Sequence, residues 1–187
     1  MLYNIKEGYK GGLSVQDSTR KEVYSWIKSF IFAIILSFIC QKFLFTPVTV
    51  QGESMMPTFE NNNKVVVSKI SEIERFDMIV FHSPISEDNH IKRVIGLPGD
   101  KVEVKDDVLY INGVKREEPY LKSNKEQYQM TLTQDFATEV PDHSLFVMGD
   151  NRLKSGDSRY YGFISYDAVI GEVKFRYYPL REIGIPR

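Results

Sequence analysis

Three short segments of this 187-residue chain gather hydroxyl, amine, guanidinium and carboxylate groups among turn-forming residues. They are Gln51-Gly-Glu-Ser-Met-Met-Pro-Thr58, Ile91-Lys-Arg-Val-Ile-Gly-Leu-Pro-Gly-Asp100 and Met148-Gly-Asp-Asn-Arg-Leu-Lys-Ser-Gly-Asp-Ser-Arg159. Such a set suits acyl transfer, in which a hydroxyl attacks a carbonyl once a base has taken its proton. Other chemistries find little support. His82, His90 and His143 lack metal-ligand spacing and there is no H-E-x-x-H, so no metal or other cofactor is expected. Gly96-Leu-Pro-Gly99 is too short for a phosphate loop. Gly52-Glu-Ser-Met-Met56 starts like a nucleophile elbow, but it lacks the final glycine and runs into Pro57. Asp100, Asp150 and Asp157 offer carboxylates whose proximity the sequence leaves open. Two S-x-x-K matches, from Ser18 and Ser25, fall before or at the start of an apolar run and are read as chance.

The elements that must position these groups divide the chain into a tail at 1–22, an apolar anchor at 23–45 and a domain at 46–187. Val23 to Phe45 carries only Lys28 and Lys42 as charges. As a helix it spans about 34 Å, enough to cross a bilayer. Tyr24, Trp26, Phe43 and Phe45 stand where interfacial aromatics belong, and the two lysines can snorkel from near its ends. No A-x-A-like site follows, which argues against a cleaved signal peptide. Arg20, Lys21 and Lys28 lead the run and only Lys42 trails it. The positive-inside rule thus keeps the N-terminus cytoplasmic and the domain outside.

Whole-chain charge is nearly balanced, 24 basic against 25 acidic residues. Removing the six basic and three acidic residues of 1–45 leaves 18 against 22, so the outer domain carries about −4. That excludes a polybasic nucleic-acid binder. The single cysteine, Cys40, lies in the anchor, so the domain must hold without an internal disulfide.

Beyond Thr46 the pattern is mainly β. Short runs at 48–50, 64–67, 78–81, 92–95, 102–104, 108–111, 145–148 and 169–177 are separated by Leu97-Pro-Gly-Asp100, Asp106-Asp107 and Asn112-Gly113. The last is a strong hairpin signal. The fold expected is an antiparallel β-sheet assembly or partly closed barrel behind one transmembrane helix. Residues 101–145 form a hairpin plus an excursion inserted between the motifs, with 120–140 expected on the surface.

The three motifs, in this order behind one anchor, resemble the bacterial type I signal peptidases, in particular the shorter Gram-positive branch. The resemblance runs from the anchor to about Tyr178. It implies a membrane-bound Ser/Lys endopeptidase that removes signal peptides from exported preproteins after small-x-small sites. On these positions it implies Ser54 as nucleophile, Lys92 as general base and Ser155 as the serine that orients that lysine. Asp157 and Arg159 would form a supporting ion pair, and Gly149, Asp150 and Arg152 would shape the site. Val48, Val50, Met55, Phe59 and Ile91 would line the subsites for small residues. The partners implied are secretory preproteins, the bilayer and a nearby export translocon. Two positions depart from the family. Gly52 stands where some members place a serine that donates to the oxyanion, and Phe76 stands where Gly is common.

The residues support the pairing on physical grounds. Lysine serves as a base only when neutral, and its free pKa is near 10.4. Burial disfavours the ammonium. Strand alternation puts Lys92 on the face of Val94, with Ile91, Arg93 and Ile95 opposite. A shift of ~2–3 units would cost ~3–4 kcal/mol, offset by packing elsewhere. Ser54, a few residues past the anchor, can meet peptide bonds at the membrane surface. Two other readings remain open: a Ser/Lys protease dedicated to itself or one partner, and a non-catalytic β-module binding peptides by strand addition.

Overall fold

A computed structural model of the chain describes residues 12–186 and divides it into a helical unit ending at Phe43 and a β-rich unit from Leu44. The helical unit is α1 (Gly12–Phe43), which begins within the expected tail. Its Thr19–Phe43 stretch is long and apolar enough to cross a membrane, and none of that stretch is buried by protein. Trp26, Phe30, Phe32 and Phe38 are all exposed. A soluble protein would cover such side chains as a core helix. The helix stops two residues short of the expected boundary, because Phe45 already opens a strand.

The β unit holds two antiparallel sheets. The larger contains β1 (Phe45–Thr49), β2 (Lys64–Ser68), β3 (Met78–His82), β4 (Asn89–Gly96), β9 (Ser144–Met148), β10 (Ile164–Ser165) and β11 (Val169–Tyr178), in the order β1-β2-β11-β3-β4-β9-β10. The smaller contains β5 (Lys101–Lys105), β6 (Val108–Ile111), β7 (Val114–Arg116) and β8 (Phe136–Glu139), in the order β7-β6-β5-β8. Both hairpins of the small sheet turn through residues with positive φ: Asp106 and Asp107, then Asn112 and Gly113. Two consecutive left-handed residues match the twist of the flanking strands, hence the Asp, Asn and Gly found there.

The centre of the large sheet explains itself from composition. β3 reads Met-Ile-Val-Phe, an unbroken apolar run suited to burial on both faces. Met78 and Val80 enter one core cluster, with Val50, Met55, Phe59 and Ile91. Ile79 and Phe81 enter a second, with Val94, Leu145 and Val147. β4 lies against β3 in the register Ile79↔Lys92 and Phe81↔His90. His90, Lys92 and Val94 therefore share the second face, and Ile91 points into the first cluster. On its other side β4 meets β9 only through Arg93, Val94 and Gly96. Residues 89–92 thus keep one free strand edge.

The excursion expected at 120–140 is mostly exposed, but it carries short elements and a few buried anchor points. Residues 119–121 form a single 3₁₀ turn, 122–128 form α2 (Lys122–Tyr128) and 136–139 form the edge strand β8. Leu121, Asn124, Leu132 and Thr133 are buried. Two leucines and two polar side chains do not make a periodic apolar pattern, which is why the segment reads as surface.

Candidate active site

The loop after β1 carries Ser54, and β4 carries Lys92 to meet it. Lys92 Nζ lies 2.7 Å from Ser54 Oγ and 3.1 Å from the Ile91 carbonyl oxygen. Lys92 is only 4 % exposed, on the face of Ile79, Phe81 and Val94. No carboxylate lies within ion-pair distance of it among the described residues. Burial pushes its pKa down to about 8, against a smaller upward pull from Asp157 and Asp150. By the linkage between pKa and population, about a tenth of such an amine is neutral at pH 7, against well under a thousandth at the free value. His90, two residues earlier on the same face, is also lowered, first by burial and then by Lys92.

Ser54 sits on a loop whose carbonyls are held individually. Asn151 donates its side-chain Nδ2–H to Glu53 O at 3.1 Å and its backbone N–H to Ser54 O at 3.0 Å. Phe59 N–H donates to Met55 O at 3.0 Å. The Ser54 N–H itself donates to no acceptor among the described residues.

The third motif packs behind this loop. Gly149 is there because its neighbours leave no room: a Cβ would collide with Ser155 Oγ and the Ser54 carbonyl oxygen. Gly149 N–H donates to Asp157 Oδ2 at 2.9 Å, and Arg159 grips the same carboxylate through Nε and Nη2, each at 2.8 Å. Asp150 is fully buried and takes a two-pronged contact from Arg93, at 2.9 and 2.7 Å, with Thr58 donating to its Oδ2. Arg152 reaches Gly149 O, Thr133 Oγ1 and, at 2.5 Å, Glu118 Oε1. Ser155 departs from the role the resemblance implies. It is buried against Gly149, but its Oγ has no hydrogen-bond partner and does not bond Lys92 in this structure.

A cleft of about 510 Å³ opens over the pair, between residues 48–54 on one side and 88–92 on the other. Val48, Val50 and Ile91 line it. Met55 and Phe59, expected beside them, belong to the same apolar cluster but lie beneath the cleft, 1 % and 0 % exposed. Sequence reasoning missed Arg93, Glu118, Asn124 and Asn151 as site residues. Arg93 meets Asp150 across 57 positions and Asn151 meets Glu53 across 98, separations that leave no local pattern. Among the described residues, no three His, Cys, Asp or Glu side chains converge as a metal site would need.

A buried amine with a depressed pKa, within reach of a hydroxyl in a cleft between β elements, marks a hydrolase class that pairs serine with lysine. Comparison with known proteins narrows the class. The model of the family "Signal peptidase, peptidase S26" matches residues 23–178. Signal peptidase I of Bacillus caldolyticus is 47% identical over 154 residues, covering 76% of this chain and 84% of that one. Signal peptidase I S of Bacillus subtilis (strain 168) is 41% identical over 176 residues, covering 89% and 95%. A solved signal peptidase I from Enterococcus faecalis V583 superposes with a TM-score of 0.53 at 45% identity, over 55% of this chain and 97% of that one. The chain belongs to the signal peptidase I family of serine endopeptidases.

Proposed function

We propose that this chain removes signal peptides from secretory preproteins through Ser54 and Lys92. The observation that carries this reading is the 2.7 Å contact between Ser54 Oγ and a lysine amine held on an apolar face. Neutral Lys92 takes the Ser54 proton as Oγ attacks the scissile carbonyl carbon. The oxyanion forms at the Ser54 N–H, which has no acceptor among the described residues. Lys92, now an ammonium, protonates the departing amine, and the mature protein leaves. Water then attacks the acyl ester, giving its proton to Lys92, and Ser54 is regenerated.

The substrate lies as an extended strand along the free edge of residues 89–92 and beside 48–50. Small side chains at P1 and P3 fit against Val48, Val50 and Ile91, with Met55 and Phe59 as the floor. Asp157–Arg159 and Arg93–Asp150 hold the 149–155 loop under Ser54, with Gly149 as the point of contact and Arg152 as the tie to Glu118. Ser155 Oγ, buried beside Gly149 without a partner of its own, would orient Lys92 once substrate is bound. Residues 23–43 anchor the enzyme in the cell membrane with the N-terminus cytoplasmic, so the active site works outside, near the export translocon.

The test is cleavage of several unrelated preproteins by the detergent-solubilised wild type and the Ser54→Ala and Lys92→Ala variants. Cleavage after A-x-A-like sites by wild type alone is expected. Comparable activity in Lys92→Ala would overturn the mechanism, and cleavage of a single preprotein only would point to a dedicated protease.

A further inference from the structure

Asn124, on α2, is a buried polar side chain that the mechanism leaves unused. It is 6 % exposed, in a segment otherwise far in sequence from all three motifs. Its Nδ2 donates to two main-chain carbonyls, Met56 O at 3.1 Å and Asp150 O at 2.9 Å. One belongs to the nucleophile loop and the other to the loop that begins at Gly149. A single amide thus staples the two segments whose spacing sets where the Ser54 N–H points.

The other ties across this junction come from within those segments themselves. Asn151 holds Glu53 O and Ser54 O, upstream of and at the nucleophile, and Thr58 holds Asp150 from below. Met55 O is taken by Phe59 N–H inside the turn, and Met56 O, the carbonyl after it, takes its donor from α2. Without it the downstream half of the turn keeps its own internal bonds and the Thr58 contact, but loses the tie from α2 that lies two residues beyond the group that receives the oxyanion. The rest of the excursion grips only the 149–155 side, through Glu118 and Thr133 on Arg152.

We infer that Asn124 is a positioning residue for acyl transfer, holding the Ser54 amide where the oxyanion forms by joining Met56 O to Asp150 O. The inference rests on Ser54 being the nucleophile. Because Asn124 touches neither Ser54 Oγ, Lys92 nor the cleft wall, its loss should act on the transition state and leave binding and base strength alone. A misplacement of this kind lowers rates by roughly 10–100-fold.

The experiment compares wild type with Asn124→Leu, which keeps shape and removes the donor, and Asn124→Gln, which keeps a donor one methylene farther out. Steady-state kinetics on a preprotein would be measured across pH, with the folded fraction taken from circular dichroism under the assay conditions. For Asn124→Leu the expected result is kcat down by roughly 10–100-fold per folded molecule, KM within about twofold and the pH midpoint unchanged. A purely structural role predicts loss of folded protein with wild-type kcat per folded molecule, and that result overturns the inference. So does a raised KM at unchanged kcat. If Asn124→Leu does not fold, Asn124→Gln decides: lowered kcat at unchanged KM supports positioning, and wild-type kcat refutes it. Full cleavage by Ser54→Ala would instead break the underlying reading of the nucleophile, whatever the Asn124 variants do.

Discussion

Lys92 and Arg93 are neighbours on β4 and almost equally buried, at 4 % and 3 % exposed, yet their surroundings differ completely. Arg93 faces a ready set of acceptors and a ring: the Asp150 carboxylate, the Phe76 carbonyl and the Tyr120 face, 4.0 Å from its guanidinium. Lys92 has a hydroxyl, one carbonyl and hydrocarbon. The planar fork of arginine stays charged and is matched in two prongs by a carboxylate. A lysine denied such a partner gives up its proton more easily. Burial alone therefore does not make a base; burial without a carboxylate in contact does.

The contrast can be broken from either side. Lys92→Ala should lower kcat by roughly 10⁴-fold or more, because Ser54 then lacks its base. In wild type, kcat should rise with pH to a plateau as a group near 8 loses its proton. That limb should vanish from the residual activity of Lys92→Ala.

Arg93→Met should be the largest stability change, a loss of about 3–5 kcal/mol, since it strands the Asp150 charge in the core. Chemical denaturation measures it directly. A loss under about 1 kcal/mol would mean that Arg93 is no more than filler.

Lys92→Met should do the opposite, raising stability near pH 7 by about 3 kcal/mol. The sign follows from linkage. The folded pKa of about 8 lies below that of the unfolded chain. The penalty for holding the ammonium is complete below pH 8 and fades as pH rises toward the unfolded value. The variant's advantage should shrink over the same interval, and an advantage constant from pH 7 to 10.5 would contradict the assignment.

The smallest effect is expected where an ion pair is solvated. Glu53 and Lys154 meet at 2.8 Å, but both side chains are more than half exposed. Lys154→Ala should leave the unfolding midpoint unchanged and the cleavage rate within about twofold. A larger drop would show that the Glu53 side chain, beside Ser54, helps place the substrate.

Much of this was legible in the chain itself, and for identifiable reasons. The apolar run, the Asn112-Gly113 hairpin and most strands follow from local periodicity and turn chemistry, which neighbouring residues determine. Lys92 was legible because alternation about Ile91 and Val94 assigns its face. The polar half of the site was not. Asn124 donates from a segment of lysines, glutamines and serines to carbonyls 68 and 26 positions away. Any residue can supply a carbonyl, so such a bond leaves no mark on composition. β8 was missed too. As an edge strand it is buried only in part, and Phe136-Ala-Thr-Glu139 barely alternates.

The free edge of β4 at residues 89–92 has a consequence for timing. In the binding mode proposed above, a substrate must supply N–H and C=O groups of its own to replace the water along that edge. A helix has already committed them internally, so a helical segment at the cleavage site is invisible to the enzyme until it unwinds. The rate at which different preproteins mature would then reflect the helix–coil balance in the few residues before the scissile bond. Two substrates with the same small side chains would be processed at different speeds.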